Sequence, residues 1–234
     1  MLHKRLLNYA FAIVCLLSLS SDVFACACCA TPGEYSIHTG KVDTFYLELL
    51  NNIKFDQTAT LYLTEADFAL IKGLDELEKE SASEEWIASR NEFDLVNSFI
   101  GKIWKFNLKS KMGKGGILTL PVPAQILTFK VDIHDDDPDR PNGPLLYKEL
   151  RFKGTVANGT GIFRAGIVKP TTYFLVFQGR GNGCDNASDF THWRLEINGS
   201  KAEYAFHGEL TSGEDRLSAG GKFGTSMSNL TVRR

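Results

Sequence analysis

Hydrophobic and polar residues alternate along several segments of the chain with the period of two that is typical of β-strands. Trp104, Phe106 and Leu108 are separated by polar residues, the turn-like segment KMGKGG follows, and the apolar segment ILTLPV comes next. The segment TTYFLVF, residues 171–177, is apolar or aromatic almost throughout, which indicates a central strand buried on both faces. These patterns predict a fold built mainly from strands.

The segment DFTHWRLEINGSKAEYAFHGEL, residues 189–210, predicts a β-hairpin. Asn198 and Gly199 form a favoured two-residue type I′ turn, because both residues tolerate a positive φ. That turn predicts three cross-strand pairs: Glu196 with Lys201, Arg194 with Glu203, and Trp193 with Tyr204. The face expected to point toward the core carries Trp193, Leu195, Tyr204 and Phe206. The opposite face carries His192, Arg194, Glu196 and His207.

Residues 64–97 interrupt the strand pattern with signals that are typical of helices. Thr64 is followed by Glu65 and Asp67 in a capping-box-like arrangement, and Ser83 precedes another acidic run as a second N-cap candidate. Elsewhere, short strands recur at intervals of roughly 8–12 residues. We therefore expect a mainly β fold, an antiparallel barrel or sandwich, with a short helical insertion near residues 64–97.

The front of the chain has the three parts of a secretory signal peptide. Lys4 and Arg5 supply positive charge, an apolar run covers residues 6–19, and Val23 and Ala25 occupy the third and first positions before a cleavage site. The run is shorter than the roughly 20 apolar residues that a membrane-spanning helix needs. No later segment is apolar enough to span a bilayer, so we expect no transmembrane segment in the mature chain.

This signal predicts the organisation and the location of the protein. Residues 1–25 are the signal peptide, residues 26–40 a cysteine-rich segment, and residues 41–234 a single β-rich domain with the insertion at 64–97. Cleavage near Ala25 predicts a secreted, periplasmic or cell-surface protein. The chain has 26 Lys and Arg against 28 Asp and Glu, so its charge does not predict a nucleic-acid partner.

Four cysteines remain after cleavage, namely Cys26, Cys28, Cys29 and Cys184. Three interpretations apply to them. The favoured interpretation is disulfide bonding, because exported proteins meet an oxidising compartment. Cys28 and Cys29 are adjacent, so we expect Cys184 to pair with a cysteine of the front segment. In the second interpretation Cys26 carries a lipid anchor, although Phe24 departs from the small residue of a lipobox. The third is a copper(I) thiolate site, which the C-x-C-C spacing supports only weakly.

Two further groups of residues are candidate metal ligands. Asp135, Asp137 and Asp139 alternate in an acidic loop and offer the hard oxygen ligands that calcium prefers, although the loop lacks EF-hand spacing. An exposed acidic turn is the alternative. His192 and His207 are expected on one face of the hairpin and could share a transition metal, with an unliganded surface pair as the simpler interpretation.

No motif in the chain indicates a catalytic reaction. A G-x-S-x-G nucleophile elbow is absent from the sequence, and single serine, aspartate and histidine residues need positioned partners to be catalytic. The sequence therefore favours a noncatalytic binding or surface-structural module. The rival hypothesis is a secreted enzyme with its site at the barrel mouth, around the loop of residues 179–192. A concave pocket with converging titratable groups would favour the enzyme.

Overall fold

The computed structural model describes residues 33–62, 71–74, 91–133 and 146–213. These residues form eleven strands and one α-helix, α1 (Thr44–Asn52). The strands are β1 (Tyr35–Lys41), β2 (Thr58–Leu61), β3 (Glu92–Ile100), β4 (Ile103–Ser110), β5 (Gly115–Pro121), β6 (Gln125–Asp132), β7 (Leu146–Thr155), β8 (Asn158–Gly159), β9 (Thr171–Gly181), β10 (Phe190–Gly199) and β11 (Ala202–Glu209). Short 3-10 segments occupy Gly161–Phe163, Ala187–Asp189 and Thr211–Gly213.

All strand pairs in the described residues are antiparallel, and the strands form one sheet. Its order is β1-β6-β7-β9-β10-β11-β2-β3-β4-β5-β8. The sheet is not closed into a barrel, because β1 and the two-residue strand β8 end this order. It folds over so that β4 faces strands that are not its neighbours: Trp104 contacts Phe152 of β7 and Phe106 contacts Trp193 of β10, with ring centroids 5.2 and 5.5 Å apart. The predicted antiparallel β fold is confirmed, and its form is sandwich-like.

Aromatic rings fill the space between the two layers. The alternation predicted for β4 is confirmed, since Trp104, Phe106 and Leu108 are all buried. Strand β9 is central, as predicted, and its consecutive residues 175–177 are buried on both faces of the sheet. Phe55, which follows α1, packs its ring against those of Phe106, Phe177 and Trp193 at 5.3–5.8 Å. The interior is thus a packed core.

The helix of the described residues lies outside the predicted insertion. Asp43 caps α1, since its carboxylate accepts a hydrogen bond from the backbone N–H of Tyr46 at 3.2 Å. Leu49 and Leu50 are the buried residues of this helix. This short helix was not predicted, because nine residues give too few turns for a clear 3.6-residue period.

The helical prediction for residues 64–97 is wrong where the structure describes them. Lys72 forms an antiparallel bridge with Glu203, and residues 92–97 belong to β3. Phe93 and Leu95 are buried between exposed neighbours, so the period of this stretch is two, as in a strand with one buried face. Residues 64–70 and 75–90 lie outside the described residues.

The hairpin is present, but its turn lies two residues later than predicted. Gly199 pairs with Ala202, so Ser200 and Lys201 form the turn, and Arg194 lies opposite His207. The predicted core face is confirmed, because a two-residue shift of the turn leaves the same side chains pointing inward. Gly199 is needed for a different reason: an added Cβ would lie 2.8 Å from the Thr171 hydroxyl of β9.

Candidate functional site

A groove on the outer face of the sheet gathers polar side chains from four neighbouring elements. We call it the outer-face groove, and its volume is about 480 Å³. Its polar and exposed aromatic side chains are Tyr62, Gln178, His192, Arg194, Glu196 and His207. They come from the end of β2 and from β9, β10 and β11, so the rigid centre of the sheet positions them.

Strand pairing explains why these side chains meet. His192 lies opposite Gln178 of β9, and Arg194 lies opposite His207 of β11. The residues between them on β10, Trp193 and Leu195, are buried in the core. Because side chains alternate between the two faces of a strand, the polar residues must point outward.

The charged side chains of the groove neutralise each other. Arg194 Nε lies 3.0 Å from Glu196 Oε1, and both residues are on the same face of β10. The pair is partly exposed, so its contribution to stability is small. Among the residues that line the groove, the pair leaves no permanent charge uncompensated.

Several polar groups of the groove have hydrogen-bonding capacity to spare. His192 Nδ1 lies 2.8 Å from the Thr191 hydroxyl, which leaves its Nε2 for other partners. Within the part of the chain that the structure describes, the side chains of Gln178 and His207 make no hydrogen bond. The ring of Tyr62 contacts the ring of His207 edge to face at 6.5 Å, and Tyr62 is 61% exposed. The groove therefore offers donors, acceptors and an aromatic surface to a ligand.

An ordered network borders the groove on β7. The Tyr147 hydroxyl donates to Glu149 Oε1 at 2.5 Å, and Arg151 donates to the other oxygen of the same carboxylate. The Arg151 guanidinium also lies 5.1 Å from the centre of the Phe129 ring. Burial, followed by the hydrogen bond to Glu149, raises the pKa of Tyr147 to about 12. This side of the groove therefore presents a neutral phenol and an arginine that is already paired with Glu149.

Of the predicted metal ligands, the structure describes the two histidines but not the three aspartates. His192 and His207 both line the outer-face groove on diagonal positions of the hairpin, as expected. The described residues contain no group of three or more His, Cys, Asp or Glu that could hold a metal ion. A shared metal on the two histidines stays a prediction. Asp135, Asp137 and Asp139 lie outside the described residues, and so the calcium site stays a prediction as well.

A second polar cluster is buried beneath the loop of residues 182–189. The side chain of Lys148 is 1% exposed and that of Asp189 is completely buried. Lys148 Nζ lies 2.7 Å from Asp189 Oδ2 and 3.3 Å from Asp185 Oδ1, and it also donates to the carbonyl of Cys184. A buried charge is tolerated only when it is paired and hydrogen-bonded, which is the arrangement here.

A second lysine holds the same loop. Lys130 Nζ lies 3.0 Å from Asp185 Oδ1 and donates to the carbonyl of Gly183 at 2.8 Å. Two glycines of β9 let the loop approach: an added Cβ at Gly181 would overlap the Asp189 carboxylate, and one at Gly179 would overlap the Asp189 carbonyl. The Gly-rich segment is therefore explained by close packing of the loop on β9.

Cys184 is the one cysteine among the described residues, and the disulfide predicted for it stays a prediction. Cys26, Cys28 and Cys29 lie outside the described residues, so the pairing predicted for them stays a prediction. The loop that carries Cys184 is the loop proposed as the site of the rival enzyme. Its carboxylates pair with the buried Lys148 and the partly exposed Lys130, in the geometry of a structural cluster.

Sequence reasoning missed Gln178 and Lys148. Gln178 follows the continuous apolar run of β9 and gave no periodic signal. Lys148 did carry one, because it occupies an inward position between Leu146 and Leu150 in a strand with alternating burial. A lysine on the apolar face of a predicted strand calls for a buried acidic partner.

Comparison with protein-family models, with curated proteins and with solved structures finds no match to this chain. Among the described residues, no helix has both the length and the apolar character needed to cross a membrane.

Proposed function

We propose that this protein is an exported, noncatalytic binding module and that the outer-face groove is its binding surface. The observation that carries the proposal is the concentration of polar side chains with spare hydrogen-bonding capacity, and of one exposed aromatic ring, in a single concavity. Ligand sites are typically concave, largely preformed and equipped with a few converging polar groups. The central strands β9, β10 and β11 supply such a preformed frame.

Two features argue against an enzyme at the 179–192 loop. The charged side chains beneath that loop, Lys148 and Asp189, are buried and paired, which leaves them no access to a substrate. A general acid or base must come within hydrogen-bond reach of the reacting group. The groove side of β10 does hold titratable groups, but Arg194 and Glu196 are engaged with each other.

The test of this proposal is the loss of binding in a groove variant. The double variant Arg194→Ala, His207→Ala removes the guanidinium and one imidazole while the inward residues of the hairpin are kept. In ligand-observed saturation-transfer NMR with mixtures of amino acids, nucleotides, organic acids and saccharides, we expect signals with the wild type that fall roughly ten-fold or more in the variant.

The matched control is the double variant Arg164→Ala, His38→Ala, which removes the same two residue types at exposed positions that do not line the groove. It should bind like the wild type. Equal binding by the groove variant and the wild type, or no binding by the wild type, would contradict the proposal.

We also infer that the disulfide of Cys184 ties the cysteine-rich front segment to the body of the domain. Disulfides persist in exported proteins, and the loop that carries Cys184 is anchored by Lys130 and Lys148. Lipidation of Cys26 is the competing form of attachment. Intact mass of the mature protein from its native host should begin at Cys26 and rise on reduction by the hydrogens of two disulfides. A diacyl or triacyl addition on Cys26 would instead show that the front of the chain is attached by a lipid anchor.

A further inference from the structure

We propose that the ligand of the outer-face groove is a neutral oligosaccharide and that Tyr62 stacks on one of its sugar rings. This inference rests on the proposed function, and it adds the chemical class of the ligand. Charge, hydrogen-bonding capacity, strand pairing and the exposed ring support it independently.

The charge of the groove favours a neutral ligand. Arg194 is the cation of the groove, and Glu196 lies 3.0 Å from it. The neighbouring Arg151 is engaged by Glu149 in the same way. A phosphate or carboxylate would have to displace one of these acidic side chains, and the charge it left unpaired would offset the gain. A neutral ligand leaves both pairs in place.

The hydrogen-bonding groups of the groove match hydroxyl groups. A hydroxyl both donates and accepts, and so it can satisfy each type of group found there. The Gln178 amide supplies a donor and an acceptor, the imidazoles of His192 and His207 take either role, and Glu196 adds an acceptor. A chain of hydroxyl-bearing rings would present several such groups along an open groove.

Strand pairing disfavours an extended peptide. Peptides that bind to sheets usually add a strand at an unpaired edge and use main-chain hydrogen bonds. The groove lies over β10, which pairs with β9 on one side and β11 on the other. Its backbone groups are already engaged, so binding must go through side chains.

The exposed aromatic ring fits the apolar face of a sugar. Tyr62 is 61% exposed, and its planar ring lies at 69° to the ring of His207, which orients it at the groove. The face of an aromatic ring is electron-rich and attracts the weakly positive C–H groups of a pyranose. An exposed tyrosine beside a polar groove therefore has a direct role in this binding mode.

The experiment is isothermal titration calorimetry of the mature protein. The neutral probes are cellohexaose, xylohexaose, chitohexaose and maltohexaose, and the acidic probe is hexagalacturonate. We expect at least one neutral probe to bind and the acidic probe not to bind. Tyr62→Ala should weaken binding of the neutral probe roughly ten-fold or more, as expected for the loss of an aromatic anchor.

Tyr35→Ala is the matched control. Tyr35 is a 65%-exposed tyrosine on the edge strand β1 and does not line the groove, so this variant should bind like the wild type. Near-ultraviolet circular dichroism of both variants checks that the core is intact. Tyr62→Phe keeps the ring and should retain most of the affinity.

The remaining outcomes separate the two proposals. Binding of the acidic probe alone, or neutral binding that Tyr62→Ala leaves unchanged, would overturn the saccharide assignment. So would a groove that binds other polar compounds but none of the neutral probes, and in that case the proposed function survives. If no compound of any class binds at the groove, both proposals fail.

Discussion

At the scale of single residues, the most consequential side chain of the described chain is a buried lysine. Lys148 lies on the inner face of β7, where its neighbours on that face are apolar, and it reaches two carboxylates and a backbone carbonyl of one loop. Its ammonium group holds the loop that carries Cys184. The cluster has a structural role, and its residues do not line the proposed binding surface.

The first prediction concerns this lysine. Lys148→Met keeps an unbranched apolar stem but leaves the buried carboxylate of Asp189 without its cation, so the free energy of unfolding should fall by about 3–5 kcal/mol. Urea unfolding without a reducing agent measures this loss. Lys130→Met is the control, because Lys130 is partly exposed and its partner Asp185 keeps Lys148 as a second cation; the loss of stability should be clearly smaller. A loss below about 1 kcal/mol for Lys148→Met would show that the buried pair does not support the loop.

At the scale of elements, local pattern predicted which residues point inward but did not determine how strands align. The core face of the hairpin was predicted correctly from alternation alone. Its turn was not, because β10 pairs with β9 as far as Gly199 and Thr171, and this pairing with a distant strand extends the hairpin past Asn198. Turn propensity is a local preference, and burial of Ile197 opposite Tyr204 outweighs it.

Because local pattern does not determine strand pairing, other features of the structure were also predicted wrongly or only in part. The helical interpretation of residues 64–97 followed the cap-like residues Thr64 and Ser83, whereas Phe93 and Leu95 already showed the period of two. The groove could be predicted only in part: His192, Arg194, Glu196 and His207 were expected on one face. Gln178 and Tyr62 join them through pairing of β10 with β9 and of β11 with β2, which are contacts between segments far apart in the chain.

At the scale of the whole molecule, buried phenols couple stability to alkaline pH. Burial raises the pKa of Tyr173 and Tyr204, and burial together with the hydrogen bond to Glu149 raises that of Tyr147 to about 12. The phenols of the unfolded chain ionise near pH 10. The folded state therefore holds protons that the unfolded state releases between these values.

This difference predicts the direction of the pH dependence. The contribution of the raised phenols to the free energy of unfolding is fully present below about pH 10 and is lost as the pH rises toward 12 and beyond. Urea unfolding at several pH values from 9 to 11.5 should show the decline. Tyr204→Phe removes one of the phenols with a raised pKa and should make the decline shallower. Stability that is flat across this range, or phenolate absorbance at 295 nm that is complete near pH 10 in the folded protein, would contradict the prediction.

We propose the outer-face groove as the binding surface of the protein. Amide NMR titration of the mature protein with the compounds that it binds tests that claim most directly, because it maps where each compound lies. We predict that chemical-shift changes concentrate at Tyr62, Gln178, His192, Arg194 and His207. Changes concentrated on the loop of residues 182–189 or on the edge strand β1, with the groove unaffected, would contradict it.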